Sequence, residues 1–142
     1  MITNNNNDLH RLPLPQFLYL TTKGRNTTRE HTIEIWFTEY NKKYYILSER
    51  KKASDWVQNI ISDPNVTFNV NNKTYKGYAK LVDRNKEPIL ANAVSDLMLR
   101  KYGWNDGLIV ELTSNDNYWK FNKDMLFFFY KIIRPIIFGI TI

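Results

Sequence analysis

The sequence predicts a mainly β fold, a small barrel of antiparallel strands with two appended helices, in the order β-β-β-α-β-β-α-β. Three observations carry that expectation. Runs rich in β-branched and aromatic residues recur at short intervals and are joined by tight polar turns. Only two segments show helical spacing, and they do not alternate with the strands as the units of a parallel sheet do. Neither GxGxxG nor GxxxxGK[ST] occurs, which counts against a doubly wound nucleotide fold. Closing the sheet is how such strands avoid exposed edges.

Tyr19-Leu20-Thr21-Thr22 reads as the first strand and Thr32-Ile33-Glu34-Ile35-Trp36-Phe37 as the core of the second. Between them, Lys23 to Arg29 holds three cations, Gly24, and the hydroxyls of Thr27 and Thr28. A strand pair tipped with Arg, Lys, Thr and free backbone N–H groups is a seat for a phosphate. Residues 43–48 form a third strand after the turn Tyr40-Asn41-Lys42, so 29–38 and 43–48 make a hairpin. Ser54-Asp55 opens a short helix with Trp56, Ile60 and Ile61 on one face, stopped by Asp63-Pro64. Residues 65–70 and 74–82 alternate around the turn Asn71-Asn72, a second hairpin. Leu90, Val94, Leu97, Met98 and Lys101 give an amphipathic helix from about Glu87 to Tyr102, ended by Gly103, and Leu108 to Thr113 is the last strand.

At 142 residues, one core is expected. Aromatic content is 15%, and Tyr and Trp together outnumber Phe, so many rings offer a polar tip suited to a pocket or interface as well as to a core. Cysteine is absent, which excludes disulfides and thiolate chemistry and is compatible with a cytoplasmic location. His10 and His31 form no metal spacing, so no metal site is expected. The net charge of +6 is uneven: residues 23 to 52 carry eight Lys/Arg against four Glu, whereas residues 53 to 114 balance seven against seven. Such a cluster fits a phosphorylated or polyanionic ligand, a nucleic acid or a solvated face. No recognition motif accompanies the cations, so nucleic acid is not the expected partner.

Three segments are expected. Residues 1–16 form a flexible Asn-rich leader, 17–114 the barrel domain, and 115–142 an apolar C-terminal extension. In the last, Tyr118 to Ile142 approaches membrane-span length, but Lys131, Arg134 and Pro135 interrupt the run. A buried or dimer-covering helix and peripheral membrane contact through 118–142 fit these residues better than a membrane span, and all three stay open.

Leu20-Thr21-Thr22-x-Gly24-Arg25, His31-Thr32-Ile33-Glu34-Ile35-Trp36-Phe37, Ser54-Asp55-Trp56-Val57-x-Asn59 and Asp63-Pro64-x-Val66 follow one another in an order and spacing that resemble the deazaflavin-dependent nitroreductase family. These are small split β-barrels of the FMN-binding, pyridoxamine-phosphate-oxidase-like group, and the likeness covers roughly residues 17 to 114. The resemblance implies an oxidoreductase that binds coenzyme F420, or less often FMN. It implies a homodimer that transfers hydride to a small-molecule acceptor such as a quinone, a nitroaromatic or another conjugated compound. Carried over, Arg25, Asn26 and Thr27 contact the phosphate, and His31, Thr32, Ile33, Glu34, Ile35 and Trp36 lie along the ring. Ile46, Leu47 and Ser48, with Trp56 and Asn59, complete the surface. Asn26 stands where many relatives carry Lys or Arg, Thr28 replaces a Gly, and Glu34 takes a position often held by Pro; Arg29, Arg50, Lys51 or Lys52 could replace the missing cation. His31 and Tyr102 are the candidate catalytic residues, and Tyr102 and Trp104 are candidate walls of the acceptor site. A binding module that holds a flavin-like cofactor without turnover shares all these residues, and a basic barrel for nucleic acid is the third reading.

Overall fold

The computed structural model describes residues 17–116; the Asn-rich leader and the apolar segment from 117 onward lie outside the described residues. Six strands are seen, β1 (Phe17–Lys23), β2 (Glu30–Tyr40), β3 (Lys43–Ser48), β4 (Asn65–Val70), β5 (Lys73–Leu81) and β6 (Leu108–Ser114), with helices α1 (Asp55–Ser62) and α2 (Pro88–Tyr102). The strands close into a barrel in the order β1-β2-β3-β6-β5-β4, every neighbouring pair antiparallel. The expected element order is therefore present, with one addition, a 3-10 turn over Lys51–Ala53 ahead of α1.

Two hairpins turn on residues that accept left-handed backbone. Asn41 and Lys42 have φ of 49° and 63°, and Asn71 and Asn72 have 52° and 63°. Such two-residue loops match the twist of the strands they join, and Asn tolerates the geometry well. α2 begins with Pro88 in its first turn and ends at Gly103, whose φ is 72° and whose N–H donates to Leu99 O.

The barrel interior is filled by Leu18, Leu20, Phe37, Ile46, Phe68, Val110 and Leu112. A second layer lies under α2, where Tyr45, Leu47 and Ile109 meet Ala91, Val94 and Met98. Sandwiched between interior and helix, β3 and β6 are buried almost continuously instead of alternating. At Gly77 the β5 backbone comes so close to β6 that a Cβ would sit 1.9 Å from Thr113 O.

α1 corrects one expectation. Its buried residues are Val57, Asn59 and Ile60, whereas Ile61 is 52% exposed. A helix turns about 100° per residue; the contact face centres on Trp56 and Ile60, so Ile61 falls at its edge. That rotation brings Asn59 inward, facing the loop between β1 and β2.

Candidate functional site

Residues 24–29 join β1 to β2 in a tight loop. Gly24 N–H donates to Arg29 O at 2.7 Å, Thr28 N–H donates to Gly24 O at 3.0 Å, and Thr28 has a φ of 58°. The intervening amides resemble the first turn of a helix, whose N–H groups have no partner within the turn. Arg25 N–H donates to Asn59 Oδ1 at 3.2 Å. The amides of Asn26 and Thr27 donate to no acceptor among the described residues. A helical turn closed by a left-handed residue is a concavity of N–H groups that suits an anion. Gly24 leaves room for it, since a Cβ there would lie 2.9 Å from both His31 Nε2 and Thr27 Oγ1.

Arg25 is held in place. Its Nη1 donates to Asn59 Oδ1 at 3.0 Å and to Asp55 O at 3.3 Å, and its Nη2 pairs with Asp55 Oδ1 at 3.2 Å. Asn59 in turn donates from Nδ2 to Thr22 Oγ1 at 3.1 Å. One buried amide thus ties β1, the loop and α1 together.

Two grooves adjoin here. The first, about 740 Å³, is lined by the loop residues Arg25, Asn26 and Thr27, by His31, Thr32 and Ile33 of β2, and by Trp56 and Asn59 of α1. The second, about 700 Å³, runs on along β2 past Glu34, Ile35 and Trp36 to Leu47, Ser48 and Trp104. Both share Ile33, Arg50, Ser54 and Trp56, so one surface leads from a polar end to a more apolar, aromatic one. In the second groove Trp36 stacks on Tyr102 at 4.7 Å and meets Trp104 edge-on at 6.5 Å.

Of the residues expected to contact a cofactor, thirteen line one groove or the other, and Ile46 lines neither. Ile46 is fully buried and pairs with Phe37 and Val110, so its side chain fills the barrel. Asn59 lines the groove but spends both lone pairs of Oδ1 on Arg25. Ser48 is 2% exposed; its hydroxyl donates to Lys51 O at 2.8 Å and lies 2.7 Å from Ser54 Oγ, fixing the basic 3-10 turn. Thr32 bonds across the strands to Thr21 at 2.7 Å.

Tyr102 is not placed for proton transfer. Its hydroxyl accepts the N–H of Phe37 at 3.1 Å and donates to Phe37 O at 3.0 Å, and burial pushes its pKa upward. It lines neither groove, because α2 delivers it to the point where β2 passes from pairing with β1 to pairing with β3. His31 lies on the groove wall, exposed. Asp55, Glu30 and Ser54 in the first groove, and Phe17 and Glu49 in the second, were not expected. Asp55 stands one residue before Trp56, and only its ion pair with Arg25 across 30 positions reveals its place. Among the described residues no group of three or more His, Asp or Glu could hold a metal ion, and no helix is long and apolar enough to cross a membrane.

Residues 2–104 match the sequence profile of the F420H2-dependent quinone reductases. The chain belongs to this family. No curated protein sequence matches it. Among solved structures it is similar to an F420-H2 dependent reductase, at 16% identity over 72% of this chain and 98% of that one, with a TM-score of 0.52. It is also similar to a putative pyridoxamine 5'-phosphate oxidase from Listeria innocua (15% identity, 70% and 84% coverage, TM-score 0.51) and to the heme storage protein HutZ from Vibrio cholerae (17%, 71% and 82%, 0.57). At such identities these structures speak for the split-barrel fold. The family supplies the activity class: the protein is an oxidoreductase, and its cofactor is F420.

The residues present fit that cofactor. A flat, largely apolar ring with one polar edge suits the aromatic groove along β2, and a phosphate suits the loop, with two unpartnered amides, the Thr27 hydroxyl and Arg25 at one end of the same surface.

Proposed function

We propose that the protein takes hydride from reduced F420 and delivers it to a quinone or another neutral conjugated acceptor, working as a homodimer. The carrying observation is the continuity of the two grooves through Ile33, Arg50, Ser54 and Trp56. Residues 25–27 would hold a phosphate, and Ile33, Glu34, Ile35 and Trp36, which line the adjoining groove, would hold the ring.

The cofactor, when bound, would supply the hydride with its electron pair, and the acceptor would take both. The chain's part is to bind and orient. Those backbone N–H groups of the Ile33 to Trp36 segment that point away from β1 would offer donors to the polar ring edge and stabilise charge delocalised there. Ile33, Ile35, Trp56 and Trp104 exclude water from the ring face. Glu34 and Glu49 place two carboxylates in the acceptor groove against one cation, Arg50, so anionic acceptors are disfavoured. His31 lines the first groove beside Gly24, at the phosphate end, so its imidazole is placed to contact the cofactor and not the acceptor. Phe17, Tyr19 and Trp36 expose 39%, 46% and 40% of their surface along neighbouring strands, an apolar face suited to a second copy.

Oxidation of reduced F420 by a soluble menaquinone analogue, followed in visible absorbance, tests the reading. Turnover that saturates in both substrates supports it. Tight F420 binding with no turnover on any quinone or nitroaromatic would instead make the protein a cofactor-binding module.

A further inference from the structure

We propose that Arg25 is an anion-exchange site: Asp55 is its resident counter-ion, displaced by the phosphate of an incoming ligand, and Asn59 is the positioning residue that holds the guanidinium in register through the exchange. The inference rests on the assignment of the 24–29 loop to the cofactor's phosphate.

The three partners of Arg25 differ in kind. Asn59 is 4% exposed and anchored to Thr22, itself 1% exposed, so its bonds to Arg25 N and Nη1 are shielded from water and persist. The carbonyl of Asp55 adds a fixed backbone acceptor. The carboxylate of Asp55 is different: its side chain is 90% exposed and makes a single 3.2 Å contact. Exposed ion pairs of this kind are weak and readily exchanged. A phosphate, with more charge and more acceptor oxygens, competes well for the same guanidinium edge.

Groove charge makes the exchange consequential. Arg25 and Arg50 are offset by Asp55 and Glu30, so the formal charge lining the anion end cancels. After displacement Asp55 cannot leave, because it is the first residue of α1. It stays beside the bound anion and repels it. Two neighbours of one arginine should therefore act in opposite directions on the same ligand, a signature that a purely structural network does not produce.

The test uses the full chain with two probes, F420 followed by fluorescence and inorganic phosphate followed by the NMR shift of the Arg25 Nε–Hε group. Asp55→Asn is expected to tighten both by about threefold, the scale of one surface ion pair. Asn59→Ala is expected to weaken both by about tenfold or more, through loss of one bond to the guanidinium and one to the Arg25 backbone N–H. The phosphate-free deazaflavin riboside should bind all variants within about twofold, since it makes no demand on Arg25. Thr22→Val removes the acceptor that orients Asn59 and should give an intermediate loss; it decides the point should Asn59→Ala not fold. Unchanged or weaker phosphate binding by Asp55→Asn overturns the counter-ion role, and normal binding by Thr22→Val or Asn59→Ala overturns the positioning role. If the wild-type protein takes phosphate but not F420, the cofactor assignment fails while the phosphate series still judges the exchange.

Discussion

The two ends of β2 treat their polar groups in opposite ways. Toward its C-terminal end, Phe37 has its N–H and carbonyl both engaged by the Tyr102 hydroxyl, and the carbonyl also receives Lys101 Nζ at 2.9 Å. Nearby, the carboxylate of Glu111, 5% exposed, is shared between Lys43 Nζ and the Tyr45 hydroxyl, each at 3.0 Å. At the other end, the loop before Glu30 leaves two amides without an acceptor among the described residues and sets its arginine against an exposed carboxylate. The same residue types are spent on structure where their bonding is complete and dry, and stay available to a ligand where it is incomplete and wet.

The contrast breaks if substitutions in the saturated wall disturb ligand binding, or if those in the loop disturb stability. The largest stability effect is expected at the packed β5–β6 wall: Gly77→Ala pushes a methyl into the Thr113 carbonyl and should cost about 3 kcal/mol in chemical denaturation, with the β6 backbone forced outward.

Next comes Tyr45→Phe, which strips a hydroxyl from a buried carboxylate and should cost about 1–3 kcal/mol while F420 affinity stays at the wild-type value. It also changes the alkaline response. Burial pushes Tyr45 above its ordinary 10.0, with the charge of Glu111 adding to the rise, and burial likewise raises Tyr44. The folded state keeps protons that the unfolded chain releases, so this stability is fully present below pH 10.0 and is lost as pH climbs beyond it, by about 1.4 kcal/mol per pH unit for each such tyrosine. Lys101 works the other way. Burial lowers its pKa, so its cost is present at neutral pH and is relieved as pH approaches 10.5. Urea midpoints taken across the alkaline range should fall less steeply for Tyr45→Phe than for the wild-type chain.

Tyr102→Phe should cost about 1 kcal/mol by releasing the Phe37 N–H and carbonyl, and leave kcat for quinone reduction unchanged. A large fall in kcat with stability intact would restore Tyr102 as a catalytic residue. Arg25→Ala gives up an exposed ion pair together with the Nη1 bonds to Asn59 Oδ1 and Asp55 O, and should cost about 1 kcal/mol, yet F420 binding should weaken about tenfold or more.

Local patterns made much of this readable in advance. The strands announce themselves by alternation and branched side chains, the Asn-rich hairpins by residues that tolerate positive φ, and α2 by its apolar stripe and Gly103. The 24–29 loop also shows in the sequence, since Gly, Arg and Thr in one short turn are the donors an anion needs. Ile61 shows the limit, because eight residues are too few to define a helix face once tertiary contact rotates it. Ile46 shows another: β3 is covered on both sides, so period alone does not separate a groove wall from the barrel interior.

The sequence by itself determined the kind of domain and the place of its polar, basic β1–β2 loop, because turn chemistry and strand periodicity act over a few neighbouring residues. Only the tertiary structure decided what each polar side chain does. Asn59 reaches Arg25 from 34 positions away, and Tyr102 reaches Phe37 from 65. Whether a hydroxyl, an amide or a guanidinium is spent on the fold or left for a ligand depends on which partners barrel closure brings within about 3 Å, and that is a property of the closed sheet and its helices, not of any one segment.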